Sequence, residues 1–370
     1  MKIIVVRSNL LEGITTVERV GDGNSNLPIL KNFLLNVSDN KIKISATNLE
    51  IGATFTINGK IIEEGDTTIP IATFSNIINS IQTERVNLEK KGDGLYIKTD
   101  NYEATIQGLP ASDFPIIPKV KNDAQWIEIK GEILKESLKQ TLAAAHFSDL
   151  RPELNSVIVN FSLDAIKMAA TDSFRLSEKT ISSGGFNSNH SQPFKILIPL
   201  KTCYELERIL KDDDQVRIYH DEHQIIFKTQ HLDFISRLTE ANFPEYAAYI
   251  PKKFNSEIML DKNEFMSAIK ITGFFSSRVG EIKIKVADNK KTAEVASADQ
   301  ILGDNKYILT AKIQGSAREV YFNWRYLLDG LKVLNTADVL LSLSEEGKPA
   351  LLRSQNDASY LYVVMPILKP

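Results

Sequence analysis

The stretch Leu109-Pro-Ala-Ser-Asp-Phe114-Pro115 recurs 129 residues later as Leu238-Thr-Glu-Ala-Asn-Phe243-Pro244. Both read Leu-x4-Phe-Pro. Ile69-Pro70 opens an apolar run over 71–81, and Ile198-Pro199 opens a similar run over 200–210 at the same offset. A proline just inside a helix start is sound chemistry, because its missing N–H would have no helical partner there. Two unrelated motifs sharing one offset point to an internal repeat. A third copy follows Phe322 as Asn323-Trp-Arg-Tyr-Leu-Leu-Asp-Gly-Leu-Lys-Val-Leu334.

Other features obey the same plan. Ala46-Thr47-Asn48, Ala170-Thr171-Asp172 and Ser297-Ala298-Asp299 each end an alternating strand. Apolar residues at three- and four-residue steps predict one opening helix per unit, over Asn9–Val17, Glu132–Leu142 and Asn263–Thr272. Short alternating segments predict strands over 41–45, 94–99, 215–219, 224–229 and 281–286, with turns at Gly92-Asp-Gly94 and Asp221-Glu222. The reading is α+β, with three similar domains of residues 1–120, 121–250 and 251–370. The polar, Gly/Ser-rich segment 182–193 is expected to be a flexible surface loop inside the second.

Composition narrows the class. Hydrophobic residues make up 43% and charged residues 25% of 370, the balance of a globular protein too long for one core. Met1-Lys-Ile-Ile-Val-Val-Arg7 holds four apolar residues in a row. A signal peptide needs a longer run and a membrane span about twenty such residues, so a strand in a cytoplasmic protein is expected. The single cysteine, Cys203, excludes an internal disulfide and a cysteine zinc cage, and is read as a small core residue. A net charge of −3 argues against a protein that coats DNA by bulk positive charge.

Leu27-Pro-Ile-Leu30, Ser45-Ala-Thr-Asn-Leu-Glu50, Ala111-Ser-Asp-Phe-Pro115, Ala169-Ala-Thr-Asp-Ser-Phe-Arg-Leu176, Phe243-Pro-Glu-Tyr246 and Tyr362-Val-Val-Met-Pro-Ile367 lie in order along the repeat. With these stretches the chain resembles, over essentially its whole length, the β subunit of bacterial DNA polymerase III, the β sliding clamp family. The resemblance implies a DNA clamp fold, with sheets outside and helices lining a ring made by a head-to-tail homodimer. It implies a processivity factor that encircles duplex DNA without reading its sequence. It implies no catalytic site, metal or cofactor of its own, and no membrane. The implied partners are the polymerase catalytic subunit, an ATP-driven clamp loader and repair proteins, all docking through short linear peptides.

Carried over residue by residue, the resemblance places a hydrophobic peptide pocket, between the second and third domains, at Leu154, Thr171, Phe174, Arg175, Leu176, Pro244, Tyr249, Val363, Met365, Pro366 and Ile367. DNA-facing cations would be Arg7, Lys135, Lys139, Arg151, Lys201, Arg208, Lys262, Lys270, Arg325 and Lys332. The ring contact would set Phe274 and Phe275 against Ile106 of a partner copy; a wide core face is the other reading of the two phenylalanines. The chain departs from the family at Ser173-Phe174, where Gly-His is usual, and at the end, where Met365-Pro-Ile-Leu-Lys-Pro370 replaces Met-Pro-x-Arg-Leu. Pro152-Glu153 and Asn24 stand where some members have two aromatics and an arginine.

Charge agrees with an enclosed polyanion. The six helical spans carry a net +4 and the remaining residues −7. A weakly positive lining suits sliding, since each fixed phosphate contact adds affinity and salt dependence. Two other classes stay open. His220-Asp-Glu-His223 could belong to a metal-dependent hydrolase acting on nucleic acid, although it reads better as a hairpin turn with no third ligand nearby. A β-rich peptide-binding scaffold that never encircles DNA is the other. Gly21-Asp-Gly-Asn-Ser-Asn26 lacks the lysine and spacing of a phosphate loop.

Overall fold

The computed structural model describes residues 1–21, 26–119, 124–148, 150–287, 291–316 and 318–368. Asn24 and the tail residues Lys369 and Pro370 lie outside the described residues, as does most of segment 21–26. Among the described residues are six α-helices: α1 Arg7–Val17, α2 Ile71–Ser80, α3 Gly131–Leu142, α4 Leu200–Ile209, α5 Lys262–Gly273 and α6 Trp324–Lys332. Each follows directly on a strand, namely Lys2–Val6, Gly65–Pro70, Ile127–Lys130, Phe194–Pro199, Ser256–Asp261 and Glu319–Asn323. Each repeat holds two of these strand-into-helix units, and the Ile-Pro motifs mark the second unit of the first two repeats.

Helix starts have local causes. Asp261 caps α5 by accepting from Glu264 N at 2.7 Å, and Asn323 caps α6 by accepting from Arg325 N at 3.0 Å. Pro70 and Pro199 are not inside their helices, as the sequence suggested, but end the preceding strands. Both strands are sheet edges, where a missing donor costs least.

The chain forms two compact units. The first comprises residues 1–132, 187–190 and 208–238. It has a five-stranded sheet in the order Gly59–Glu63, Lys2–Val6, Arg85–Lys91, Gly94–Lys98, Glu103–Gln107. Gly92, at φ +59°, supplies the left-handed turn of the hairpin at 91–94. A nine-stranded sheet runs from Phe186–Ser188 through Ile127–Lys130, Gln215–His220, Gln224–Lys228 and Leu232–Arg237 to Ile51–Ile57, Lys41–Thr47, Asn32–Ser38 and Gly65–Pro70. Repeats one and two join inside it, where Leu232 pairs with Phe55 and Ile235 with Gly52. A β-carbon on Gly52 would lie 2.9 Å from Ile117, so glycine lets the linker pack onto the sheet. Leu10, Phe33 and Phe74 are fully buried in this unit.

The second unit comprises residues 133–186, 191–207 and 239–370. Its nine-stranded sheet runs Phe194–Pro199, Ser156–Phe161, Ala165–Thr171, Arg175–Ser182, Tyr360–Val364, Ala350–Arg353, Asp338–Leu343, Ser256–Asp261, Lys312–Gly315. Its four-stranded sheet runs Gly303–Thr310, Thr292–Asp299, Glu281–Val286, Glu319–Asn323. Phe265, Phe322, Leu327 and Tyr362 share one core in which α5 and α6 lie side by side. Gly330 in α6 faces Tyr362, whose ring would sit 2.5 Å from an added β-carbon.

The segment 182–193 corrects an expectation. It holds a 3-10 turn, Ser183–Gly185, and the edge strand Phe186–Ser188. Phe186 is buried, edge-on to Phe161 at 5.9 Å, and Asn189 bonds to Trp126 in both directions. One apolar side chain in a polar run anchors what composition presented as a loop.

Candidate functional site

The site is built on the hairpin that joins Ala165–Thr171 to Arg175–Ser182. Thr171 Oγ1 donates to the Arg175 carbonyl at 2.7 Å and accepts from Ser173 N at 3.1 Å. Asp172 Oδ1 accepts from Phe174 N at 2.9 Å and Arg175 N at 3.0 Å. This forces Ser173 to φ +80°, a region that favours glycine. The first repeat makes the same turn: Thr47 Oγ1 donates to Ile51 O, Asn48 Oδ1 accepts from Glu50 N and Ile51 N, and Leu49 sits at φ +74°. In the third, Asp299 accepts from Ile301 N and Leu302 N. The Ala-Thr-Asn/Asp triplet of the sequence is thus a side-chain-templated turn.

In the second unit this turn borders a cavity of about 200 Å³. Leu154, Leu176 and Val363 are buried in its floor, and Leu176 pairs with Val363 across the two strands. Phe174, Pro244, Tyr249 and Met365 line it above, with Phe174 59% and Tyr249 65% exposed. Thr171 and Arg175, also expected there, line it too. Arg175 is buried and bonds Asp172 Oδ2 at 2.9 Å and Asp329 Oδ2 at 2.6 Å, with its guanidinium 4.6 Å from the centre of the Tyr326 ring.

Three lining residues were not foreseen as pocket residues. Tyr246 donates to Glu178 Oε2 at 2.7 Å; burial and that carboxylate push its phenol up. Ser173 accepts from Arg151 at 2.7 Å. Arg151, expected to face DNA, lines this cavity and pairs with Glu153 at 3.0 Å. Tyr246 closes the quoted stretch Phe243-Pro-Glu-Tyr246, the signal that could have flagged it.

Pro366 and Ile367 do not line the same cavity. They border a separate one of about 270 Å³ with Arg318, Tyr321 and Lys348. Met365 N donates to Phe174 O at 2.8 Å and Ile367 N to Tyr321 O at 2.7 Å, so the strand's direction carries residues 366–368 away from the first cavity.

The other expected cations differ in exposure and in the contacts they make. Lys139, Lys201, Arg208, Lys270, Arg325 and Lys332 are exposed, and Lys135 is half-buried. Arg7 donates to the carbonyls of Ile78 and Asn79 and so caps α2. Lys262 donates to Leu334 O at 2.7 Å, and Lys332 pairs with Asp329 at 3.1 Å. At the expected ring contact, Phe274 is 67% exposed and Phe275 half-buried. Ile106 is buried, because strand alternation turns it toward Leu95 and the core, so in the single chain it is no exposed anchor.

His220 is not at a solvated tip. It stacks on His190 at 5.4 Å with an 8° angle between the rings, while His223 is exposed. Among the described residues no group of three or more His, Cys, Asp or Glu is placed to hold a metal ion. Cys203 is fully buried, and burial pushes its thiol up. No helix of the described residues is long and apolar enough to cross a membrane.

Comparison with known proteins places the chain. The DNA polymerase III beta subunit N-terminal, central and C-terminal domains match residues 1–118, 128–245 and 248–368. The chain belongs to the DNA polymerase III beta-subunit family. Among its relatives in that family, the beta sliding clamp of Bacillus subtilis is 26% identical over 379 residues, and that of Synechococcus elongatus 25% over 374, each covering 99% of both chains. A crystal structure of the DNA polymerase sliding clamp from Bacillus subtilis superposes over 100% of both chains with a TM-score of 0.94 at 26% identity. The beta subunit from Thermotoga maritima shares the fold at a TM-score of 0.92 and 23% identity. The beta-subunit chain therefore has the three-domain sliding-clamp fold.

Proposed function

We propose that this chain is a DNA sliding clamp of replication, without catalytic activity of its own. Two copies close head-to-tail into a ring around duplex DNA. The Leu154–Leu176–Val363 cavity receives short peptides of the polymerase catalytic subunit, an ATP-driven loader and repair proteins. The observation that carries this reading is the match to all three domains of the beta-subunit family, in order, with full-length relatives that are beta sliding clamps.

Local features support it. Glu103–Gln107 ends one sheet and Gly303–Thr310 ends another, and an unpaired strand edge is a ready site for pairing with a second chain. Ile308 of the latter strand and Ile271 and Phe274 at the end of α5 are exposed. A head-to-tail contact between two such edges closes a ring when the rotation closes. The cavity is small for a cofactor, since small-molecule sites span about 300–1,000 Å³, and its apolar floor suits a single large side chain of a peptide.

Sedimentation equilibrium tests the ring. The particle should have twice the 41.5 kDa chain mass. Phe274→Asp with Ile271→Asp should shift it to one chain mass with an unchanged far-UV circular dichroism spectrum and a melting temperature that no longer depends on concentration. A monomeric parent at micromolar concentration contradicts the reading.

A further inference from the structure

One strand pairing joins the repeats twice inside the chain, in the same register each time. Where the first repeat meets the second, Ile51 lies opposite Ser236 and Thr54 opposite Asp233. Where the second meets the third, Arg175 lies opposite Val364 and Glu178 opposite Leu361. Ile51 and Arg175 hold one place, since the carbonyl of each accepts from the threonine hydroxyl of its turn. Gly303–Thr310 and Glu103–Gln107 are the equivalent strands left at sheet ends. Their places follow from their neighbours. Asn305 pairs with Ser297 as Ala53 pairs with Ala46, the residues that open the matching triplets, so Lys306 stands where Thr54 does. The hairpins before Glu103 and Asp233 close alike, through Thr99 N to Tyr102 O and Thr229 N to Leu232 O. Glu103 therefore stands where Asp233 does, and each carries the matching ion pair, to Lys98 and to Lys228.

We infer that a second copy of this chain docks by repeating that pairing once more, with Lys306 opposite Glu103 of the partner subunit and Gly303 opposite Ile106 of the partner subunit. This rests on the ring reading and adds to it the register of the contact and the charge pair that selects the partner. Lys306 and Glu103 are exposed, each on the face of its strand away from the buried Leu309 and Ile106. Opposite charges directly across a strand pair attract, and like charges repel. A β-carbon on Gly303 would meet no atom within 4 Å, so the place opposite Ile106 is open. A slip by one residue would turn every side chain of one strand to the wrong face and separate the two charges.

The test is sedimentation equilibrium of the full chain over a dilution series at low salt, where exposed charge pairs are least screened. Glu103→Lys and Lys306→Glu each set like charges across the contact. Each contact should weaken roughly tenfold, and because a closed ring has two, its dissociation constant should rise about a hundredfold. Mixed in equal amounts, the two variants should return to twice the chain mass at the parental affinity. One contact of the mixed ring then keeps the native pair, and the other carries the same pair with its charges exchanged. Circular dichroism confirms that each variant is folded. If either variant associates as tightly as the parent, or if the mixture stays at one chain mass, the register is overturned while the ring stands. A parent that is itself monomeric removes both.

Discussion

Ser173 holds a left-handed backbone because the Thr171 and Asp172 side chains template the turn around it. A non-glycine residue there stores on the order of 1–3 kcal/mol. Ser173→Gly should therefore raise the thermal midpoint, by roughly 1 kcal/mol of stability once glycine's greater unfolded freedom is subtracted. Calorimetry checks this, and a lower midpoint than the parent contradicts it. Arg175 behaves in the opposite sense. Its removal leaves the buried Asp172 carboxylate without its partner, so Arg175→Ala should cost about 3–5 kcal/mol. Arg175→Lys should recover little, because one ammonium cannot span both Asp172 and Asp329 as the planar guanidinium does. A lysine variant that melts with the parent would show that charge alone suffices. At this scale the sequence was least legible. Leu154, Leu176 and Val363 carry no local mark separating a cavity floor from an ordinary core, and resemblance alone pointed to them. The course of Pro366 and Ile367 depends on where residue 365 leaves the strand, which no pattern encodes.

The helices and strands were legible in detail because their signals are local. The predicted run 263–272 became α5, Lys262–Gly273, and the alternating 281–286 became a strand with the same bounds. The failure at 182–193 is instructive. Phe186 is one apolar residue among serines and glycines, too little for a period of two, yet its burial and the Asn189–Trp126 bonds suffice to order the segment. That segment also brings His190 onto His220. Burial holds both imidazoles below their usual range, and for His190 the neighbouring imidazole adds to it. The unfolded chain therefore takes up protons first as pH falls. The stabilisation is complete above about pH 6.5, the ordinary histidine value, and is lost progressively below it. The melting temperature should drop between pH 7.5 and 5.5, and the drop should be smaller in the His190→Gln/His220→Gln double variant. Equal drops in parent and variant would exclude the pair as a cause.

Across the whole chain, the threefold repeat was readable from one offset shared by two motifs, and the three family domains lie in the same order. The pairing of repeats was not readable. Leu232–Arg237 joins Ile51–Ile57, and Arg175–Ser182 joins Tyr360–Val364, so each nine-stranded sheet draws on two repeats. Strand partners far apart in sequence leave no local period, so nothing in the sequence showed that each of the two compact units would take in parts of more than one repeat. The net charge of −3 also belongs to this scale, because it favours enclosure over attraction as the means of holding DNA. Retention measures that claim most directly. The protein, assembled on a nicked circular duplex by an ATP-driven loader, should stay bound through gel filtration at moderate salt, and one restriction cut should release it. Retention unchanged by linearising the circle would contradict a ring that holds DNA by enclosing it.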